Sequence, residues 1–289
     1  MRVLMIHGRA QGGKIVDELK TTWIDTLKEG FQAAGKPWPA NVQFDFPYYG
    51  DKLDSLVAEA DLPTVAGVAA KGGGENPQYA QFVASALTEM AAKSAVPDAE
   101  IRAQLPPGAP QEKGPQNWAW VQAIARHIDN RFAPASLFTI EKFLRDVFLY
   151  VTKKNVSGPI DAIVEAMLTK EPTLVVSHSL GTVVAYNVVN KHRAEVPFVK
   201  HITVGSPLGI GAVSSKLGVP QNIFGDGGWY NAYDERDIVA LNPLDDTYFG
   251  TDPAIVNYNQ VKNKTSNRHG IIGYLNDAKV AAQIAAAIT

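Results

Sequence analysis

The segment from Leu174 to Thr182 constrains the fold of this chain more than any other part of its sequence. It begins with an apolar run, passes through the small turn Ser177-His178-Ser179-Leu180-Gly181, and leads into a segment rich in Val and Ala. This pattern predicts a buried strand, a sharp turn and a helix. Such a turn exposes a serine hydroxyl beside the N–H groups of the helix start. Ser179 is therefore the candidate nucleophile, and the N–H of Leu180 is a candidate donor to an oxyanion.

Strands and helices are expected to alternate along most of the remaining chain. Strands that alternate with helices are typical of a parallel sheet with helices on both faces. The sequence therefore predicts an α/β fold with a doubly wound, mostly parallel sheet. In such sheets, functional groups collect beyond the carboxyl ends of the strands. Strands are predicted at 3–6, 42–46, 173–177, 199–205, 229–233 and 254–258, and helices at 16–34, 158–169, 180–192 and from about 271.

Residues 52–155 interrupt this alternation. They contain the glycine run 72–74, a proline-rich stretch from Pro97 to Pro115, and two segments with helical patterning at 117–132 and 137–152. The sequence therefore predicts a core formed by 1–51 and 156–289, with 52–155 inserted as a largely helical cap.

Composition narrows the range of functions. A net charge of -2 over 289 residues provides no basic field for nucleic acid, so a small or neutral molecule is the expected partner. The absence of cysteine excludes a thiolate nucleophile, a disulfide framework and Cys-ligated zinc. No apolar run reaches the roughly 20 residues of a membrane span, and no signal segment is recognised, which predicts a cytoplasmic location. Oligomeric state is not indicated.

The turn around Ser179 closely resembles the nucleophile elbow of the α/β-hydrolase superfamily, in particular its lipase-like and esterase-like members. The likeness covers residues 1–50 and 158–289, starting at the strand before a His-Gly loop. Ser177 departs from the family pattern, because glycine is usual at that position. The resemblance implies a catalytic serine, acid and histidine in that chain order.

The resemblance also indicates His269 as the general base. His269 lies in a polar loop directly before the last predicted helix, where the family carries this residue. The other five histidines are expected in different places: His201 at the amino end of its strand, His192 as a helix cap, His127 on the surface, His7 in the first loop, and His178 beside the serine, unable to fold back to it.

Two carboxylates compete for the role of the acid. Asp237 follows a short predicted strand and precedes an Ile-Val pair, which looks like the family's acid position. Asp234 lies in the same loop and remains the alternative, since the acid only has to reach the histidine nitrogen that faces away from the serine. Asp245 and Asp246 are expected to be solvated turn residues.

The loop after the first strand resembles the family's His-Gly loop, and the N–H of Arg9 matches the second oxyanion donor. The Arg9 side chain itself is expected in a surface salt bridge. The substrate pocket is expected to be lined by nearby residues and by aromatic residues of the cap. These are His7, Gly8, His178, Tyr48, Tyr49, Trp118, Trp120, Phe143 and Phe148.

The same loop supports a rival interpretation. Residues Gly8 to Lys14 match most of the phosphate-loop pattern, between a strand and a helix. Ile15 replaces the hydroxyl residue that would hold magnesium, and Asp45 is expected within its strand rather than at its end. Nucleotide binding therefore stays a minor alternative, as does a hydrolase fold that serves only for binding.

The function predicted from the sequence is hydrolysis of a hydrophobic carboxylic ester by a serine hydrolase. The reaction passes through an acyl-enzyme and requires no cofactor or metal. The same residues are compatible with a thioesterase, an amidase or an acyltransferase, and the sequence does not choose among them.

Overall fold

The computed structural model describes residues 1–60, 62, 76–114, 116–132 and 139–288. The glycine run 72–74, Pro115 and the first residues of the predicted helix 137–152 lie outside this part of the chain. The described residues form an α/β fold in which helices flank a parallel sheet.

The sheet of the described residues contains six strands in the order β2-β1-β3-β4-β5-β6, and every neighbouring pair is parallel. All six residues of β3 are buried, as the continuous apolar run predicts. Because all strands point the same way, their carboxyl ends share one edge. The strands are β1 Arg2–Ile6, β2 Gln43–Asp45, β3 Thr173–His178, β4 Phe198–Val204, β5 Trp229–Ala232 and β6 Val256–Tyr258.

Helices cover both faces of this sheet. Alternate residues of β1 enter two separate apolar clusters, Val3 and Met5 in one, Leu4 and Ile6 in the other, as strand geometry requires. Helix α1 (Val16–Ala33) packs with the C-terminal helices on the first cluster.

The second cluster is larger and extends without interruption from the sheet into residues 52–155. Seven further helices of the described residues cover it. These are α2 Gly50–Glu59, α3 Pro77–Lys93, α4 Asp98–Arg102, α5 Trp118–Phe132, α6 Ile140–Thr152, α7 Lys154–Glu165 and α8 Leu180–His192. Short helical segments follow β4, namely a 3-10 turn Pro207–Gly209 and α9 Gly211–Ser214, and the chain ends with α10 Ile272–Leu275 and α11 Ala278–Ile288.

Several elements differ from the sequence prediction. Helices α2, α3 and α4 were not predicted, and α2 runs across the proposed boundary at 51/52 to pack against α7. Helix α7 begins four residues before its predicted start, and the helix expected from 271 is divided into α10 and α11. Asp45 ends β2 instead of lying within it, and its carboxylate pairs with Arg2 at 2.7 Å. No described helix is long and apolar enough to cross a lipid bilayer.

Candidate functional site

The candidate residues meet beyond the carboxyl ends of the central strands. Ser179 directly follows β3, the His7-Gly8-Arg9 loop follows β1, and Asp237 lies in the loop after β5. His269 lies between β6 and α10. Residues far apart in the chain therefore come together because the strands that carry them are neighbours in the sheet.

The backbone of Ser179 holds its hydroxyl in a constrained position. Ser179 has φ 57° and ψ −133°, a region that L-residues rarely occupy, and α8 begins at the next residue. Gly181 makes this turn possible, because a Cβ atom there would overlap the carbonyl oxygens of Ile6 and His7. The strand, the strained serine and the glycine together form the sharp turn that the sequence predicts.

A chain of hydrogen bonds joins Ser179, His269 and Asp237. The Ser179 Oγ lies 2.7 Å from Nε2 of His269, and Nδ1 of His269 lies 2.7 Å from Oδ2 of Asp237. The carboxylate accepts from Nδ1–H, which leaves Nε2 unprotonated to accept from the serine hydroxyl. The three residues are at most 5% exposed. This arrangement can remove a proton from the serine as it attacks an electrophile.

Asp237 is held in place by two further donors. The hydroxyl of Tyr274 donates to Oδ2 at 2.6 Å, the same oxygen that faces His269, and the N–H of Val239 donates to Oδ1 at 3.0 Å. Tyr274 is fully buried, and burial together with the neighbouring Asp237 raises the pKa of its phenol well above the usual value. The phenol therefore stays protonated and acts as a fixed donor.

Asp234, the alternative acid, serves a different part of the loop. Its carboxylate accepts the N–H groups of Arg236 and Asn263 at 2.9 Å each, and it also pairs with the Arg236 guanidinium. These bonds tie the β5 loop to the segment that leads to His269. The geometry thus brings Asp237 to the histidine and uses Asp234 as a brace.

His178 supports His269 from the side. Its Nε2–H donates to the carbonyl oxygen of His269 at 2.7 Å, and the two rings lie 4.8 Å apart. Burial, with the neighbouring His269, lowers the pKa of His178 well below its usual value, so this ring stays neutral. A neutral ring adds no positive charge beside the imidazolium that His269 would become.

His7 is also a neutral structural ring. Its Nδ1–H donates to the carbonyl of Gly8 at 2.7 Å, and its Nε2 accepts the N–H of Tyr49 at 3.1 Å. Burial lowers the pKa of His7 to about 4. The Tyr49 ring stacks on His7, and its hydroxyl donates to the His7 carbonyl oxygen. These bonds fix the shape of the loop that leads to Arg9.

The Arg9 side chain forms a buried ion pair, so the expectation of a surface salt bridge is wrong. Its Nε donates to Oδ2 of Asp146 at 2.6 Å, and the two side chains are only 8% and 3% exposed. Asp146 belongs to α6, and Phe143, one turn earlier on that helix, packs edge-on against His269 with ring centroids 6.5 Å apart. One face of α6 therefore contacts both the candidate oxyanion loop and the candidate base.

A cavity of about 380 Å³ opens at Ser179. Ser179 and His269 line it together with His7, Gly8 and Arg9, and a Cβ on Gly8 would come within 2.7 Å of the Ser179 Cβ. His178 also lines it, and the remaining lining residues come from the rest of the first loop, from α1 and from the segment that carries His269; these are Ala10, Gln11, Lys14, Leu19, Thr22, Trp23, Asn267, Gly270, Ile271 and Ile272. A larger, open depression of about 730 Å³ around Val219 and Asp246 does not contain Ser179 or His269.

The aromatic residues expected to line the pocket lie elsewhere. Tyr49 packs on His7, and the Tyr48 hydroxyl donates to the Gln11 carbonyl at 2.8 Å. Phe148 packs on Tyr79 and Phe82 inside the core that includes α3 and α6. None of Tyr48, Tyr49, Trp118, Trp120, Phe143 and Phe148 is among the described residues that line the cavity.

The loop from Gly8 to Lys14 is occupied by the protein's own carboxylates. The N–H of Gly13 donates to Asp51 at 2.6 Å, and the Asp54 carboxylate lies against Gly12. Bound phosphate would need this N–H and would meet two negative charges. Within the described part of the chain, no group of three or more His, Asp or Glu residues is placed to hold a metal ion.

Two of the remaining histidines depart from their expected positions. His201 lies in the middle of β4, fully buried, with Nε2 2.8 Å from the hydroxyl of Ser177. His127 is only 8% exposed. His192 ends α8 as expected, and Asp245 and Asp246 are exposed turn residues. None of the other five histidines takes the place of His269 beside Ser179.

The sequence did not indicate that Tyr274, Asp146 and Trp23 would lie at the candidate site. Tyr274 and Trp23 stand at helical spacing among apolar residues and resemble core positions, and Asp146 has no neighbouring motif. A buried acid on an amphipathic helix is the signal that could have marked Asp146. Comparisons with known protein families, curated proteins and solved structures found no match to this chain.

Proposed function

We propose that this protein is a serine hydrolase that cleaves carboxylic esters, with Ser179 as nucleophile, His269 as general base and Asp237 as the orienting acid. The observation that carries the proposal is the continuous hydrogen-bond chain from Asp237 through His269 to the strained Ser179, at the wall of a cavity. A neutral imidazole accepting from a serine hydroxyl is the arrangement that activates an otherwise weak nucleophile.

In the first step, His269 Nε2 takes the hydroxyl proton of Ser179 as Oγ bonds to the ester carbonyl carbon. The carbonyl oxygen becomes an oxyanion, which the N–H groups of Leu180 and Arg9 stabilise. Leu180 is the first residue of α8, so its N–H has no acceptor within the helix. Each such donor contributes about 3 kcal/mol to lowering the barrier.

The tetrahedral intermediate then collapses to an acyl-enzyme. The bond to the alcohol oxygen breaks, and the proton held by His269 passes to that oxygen, so the alcohol leaves neutral. In the second half, His269 takes a proton from water, the hydroxide bonds to the acyl carbon, and the ester bond to Ser179 breaks with return of the proton to Oγ. Asp237 stabilises the imidazolium in both halves.

The proposal includes an α/β-hydrolase fold with residues 52–155 as a cap. Three observations support it: the serine follows the strand at the centre of the parallel sheet, the candidate donor loop follows the neighbouring strand β1, and the serine, acid and histidine occur in that chain order. The contacts of α6 with Arg9 and His269 support a cap that forms one wall of the site.

Steady-state hydrolysis of p-nitrophenyl acetate tests this function. Wild type should turn over with a burst of p-nitrophenol equal to the enzyme concentration or with a detectable acyl adduct on the peptide of Ser179. His269→Ala should lower kcat by about 10⁴-fold or more, because the serine loses its base. His192→Ala, at the far end of α8, is the control that should keep wild-type kcat. Equal turnover by the His269 variant would refute the assignment.

A further inference from the structure

The cavity at Ser179 has an apolar wall formed by two elements that are distant in sequence. Helix α1 contributes Leu19 and Trp23, and the segment around the start of α10 contributes Ile271 and Ile272. The two helices pack against each other. This wall lines the same cavity as Ser179 and the His7-Gly8-Arg9 loop that would hold the oxyanion, so it is available to a substrate bound at Ser179.

The inner end of this wall is deeply buried. Trp23 is 3% exposed, and its ring meets the ring of His178, the residue before Ser179, edge-on with centroids 6.4 Å apart. The apolar wall therefore begins beside the nucleophile.

The outer end reaches the protein surface. Leu19 is partly exposed, and Ile272 is 45% exposed. Positions 19 and 23 share one face of α1, so Leu19 follows Trp23 outward along the cavity, and Ile15, the extended residue before the helix, lies outside the cavity lining. At 1.5 Å per helical residue, Leu19 lies about 6 Å farther along α1 than Trp23, and Ile271 and Ile272 extend the apolar surface on the other side.

We propose that this wall, which we call the α1–α10 wall (Leu19, Trp23, Ile271 and Ile272), binds an extended hydrocarbon chain of the ester substrate. The inference rests on the proposed function and assigns the substrate class: esters with a medium-length, unbranched aliphatic chain. In this proposal, α1 and α10 determine which length of hydrocarbon chain the enzyme prefers, and the aromatic side chains within the segment 52–155 do not.

The physical reason is the removal of apolar surface from water when a hydrocarbon chain packs along the wall. A chain laid along Trp23 and Leu19 removes apolar surface of both partners from water, which is favourable in proportion to the area buried. Ile272 at the outer end, 45% exposed, leaves apolar surface in contact with water unless a ligand covers it. A charged group laid on these four side chains would lose hydration without gaining a polar partner from them, and the polar lining residues Gln11, Lys14 and Asn267 lie outside this wall.

Two substrate series test the inference at concentrations below micelle formation. The first varies the acyl side, with p-nitrophenyl acetate, butanoate, octanoate and dodecanoate. The second varies the alcohol side, with ethyl, butyl and octyl acetate. In one series kcat/KM should rise on the order of tenfold or more from the shortest chain to the octyl member. The series in which it rises identifies the part of the ester that contacts the wall.

Matched variants test whether the dependence of kcat/KM on chain length arises at the α1–α10 wall. Ile272→Asp puts a carboxylate at the outer end of the wall and should lower the octyl-to-shortest ratio of kcat/KM by on the order of tenfold. Val256→Asp is the control, since Val256 on β6 is equally exposed at 44% and lies outside the cavity lining. It should keep the wild-type ratio. Leu19→Trp, which fills space along the wall, should move the optimum to a shorter chain.

Suppose that the enzyme hydrolyses acetate esters and reacts at Ser179, but kcat/KM stays constant or falls with chain length in both series. This result would overturn the inference, and the proposed function would stand without it. An equal loss of the ratio in Ile272→Asp and Val256→Asp would overturn it as well. If Ser179 neither reacts with a serine probe nor supports hydrolysis, the proposed function fails, and the inference fails with it.

Discussion

At the scale of single residues, the two carboxylates of the β5 loop have distinct surroundings although they are three positions apart. Asp237 is completely buried and faces His269 and Tyr274, whereas Asp234 faces backbone N–H groups and Arg236. Buried carboxylates need donors on both oxygens, and each aspartate has its own set. Asp237 therefore contacts the candidate base, whereas Asp234 braces the loop.

Asn substitutions at these two positions should give different defects. Asp237→Asn should lower kcat by about 10⁴-fold with a smaller change in KM, because an amide no longer fixes the tautomer and charge of His269. Asp234→Asn should mainly lower stability, by about 1 to 3 kcal/mol, since it weakens hydrogen bonds of a buried charged group. Kinetics and urea unfolding of both variants measure this contrast. A larger loss of kcat in the Asp234 variant would reverse the assignment.

At the scale of elements, the junction of β3 and α8 limits which side chains can occupy it. The first turn of α8 passes so close to β1 that only a hydrogen fits at Gly181. The fit links the position of Ser179 to the strand that carries the candidate oxyanion loop. A change in this packing therefore affects folding and the site at once.

Two helical glycines provide a matched test of that contact. Gly181→Ala should cost about 3 kcal/mol of the free energy of unfolding or prevent folding, because its methyl group meets backbone carbonyls that cannot rotate away. Gly158→Ala, in α7 with open space around its Cβ position, should raise stability by up to about 1 kcal/mol. Chemical unfolding monitored by circular dichroism reports both values. Equal effects of the two substitutions would contradict the packing described.

Some elements of the fold and the site could be predicted from the sequence, and others could not. The buried strands and α1 were predictable because their apolar periodicity is strong, and the turn at Ser179 because small residues flank the serine. The cavity wall was not predictable, since it arises where α1 meets α10, some 250 residues later. Tyr49 looked like a pocket residue at a strand end, but its ring packs on His7 and its N–H and hydroxyl bond to that residue.

At the scale of the whole molecule, three buried histidines are held neutral. Burial lowers the pKa of His7 to about 4 and that of His201 to about 3, and it lowers the pKa of His178 well below its usual value. The unfolded chain binds protons on these rings near pH 6.5, whereas the folded protein does not. The free energy of unfolding therefore decreases as pH falls below about 6.5.

One substitution tests this decrease in the free energy of unfolding at low pH. Between pH 6.5 and pH 4 the unfolding free energy of wild type should fall, with a contribution of about 3 kcal/mol from His201 alone within that interval. His201→Gln, which keeps a side-chain partner for Ser177, should remove that contribution and give a shallower pH dependence. Urea unfolding at a series of pH values measures the difference, and parallel curves for the two proteins would contradict it.

The most direct test of the proposed chemistry is labelling by a fluorescent fluorophosphonate. We expect the folded wild type to form a covalent adduct at Ser179, and Ser179→Ala to lose it. Ser206→Ala, which removes another buried hydroxyl near the elbow, should still label. If the folded wild type does not react, or if the Ser179 variant reacts as fast as wild type, Ser179 is not an activated nucleophile.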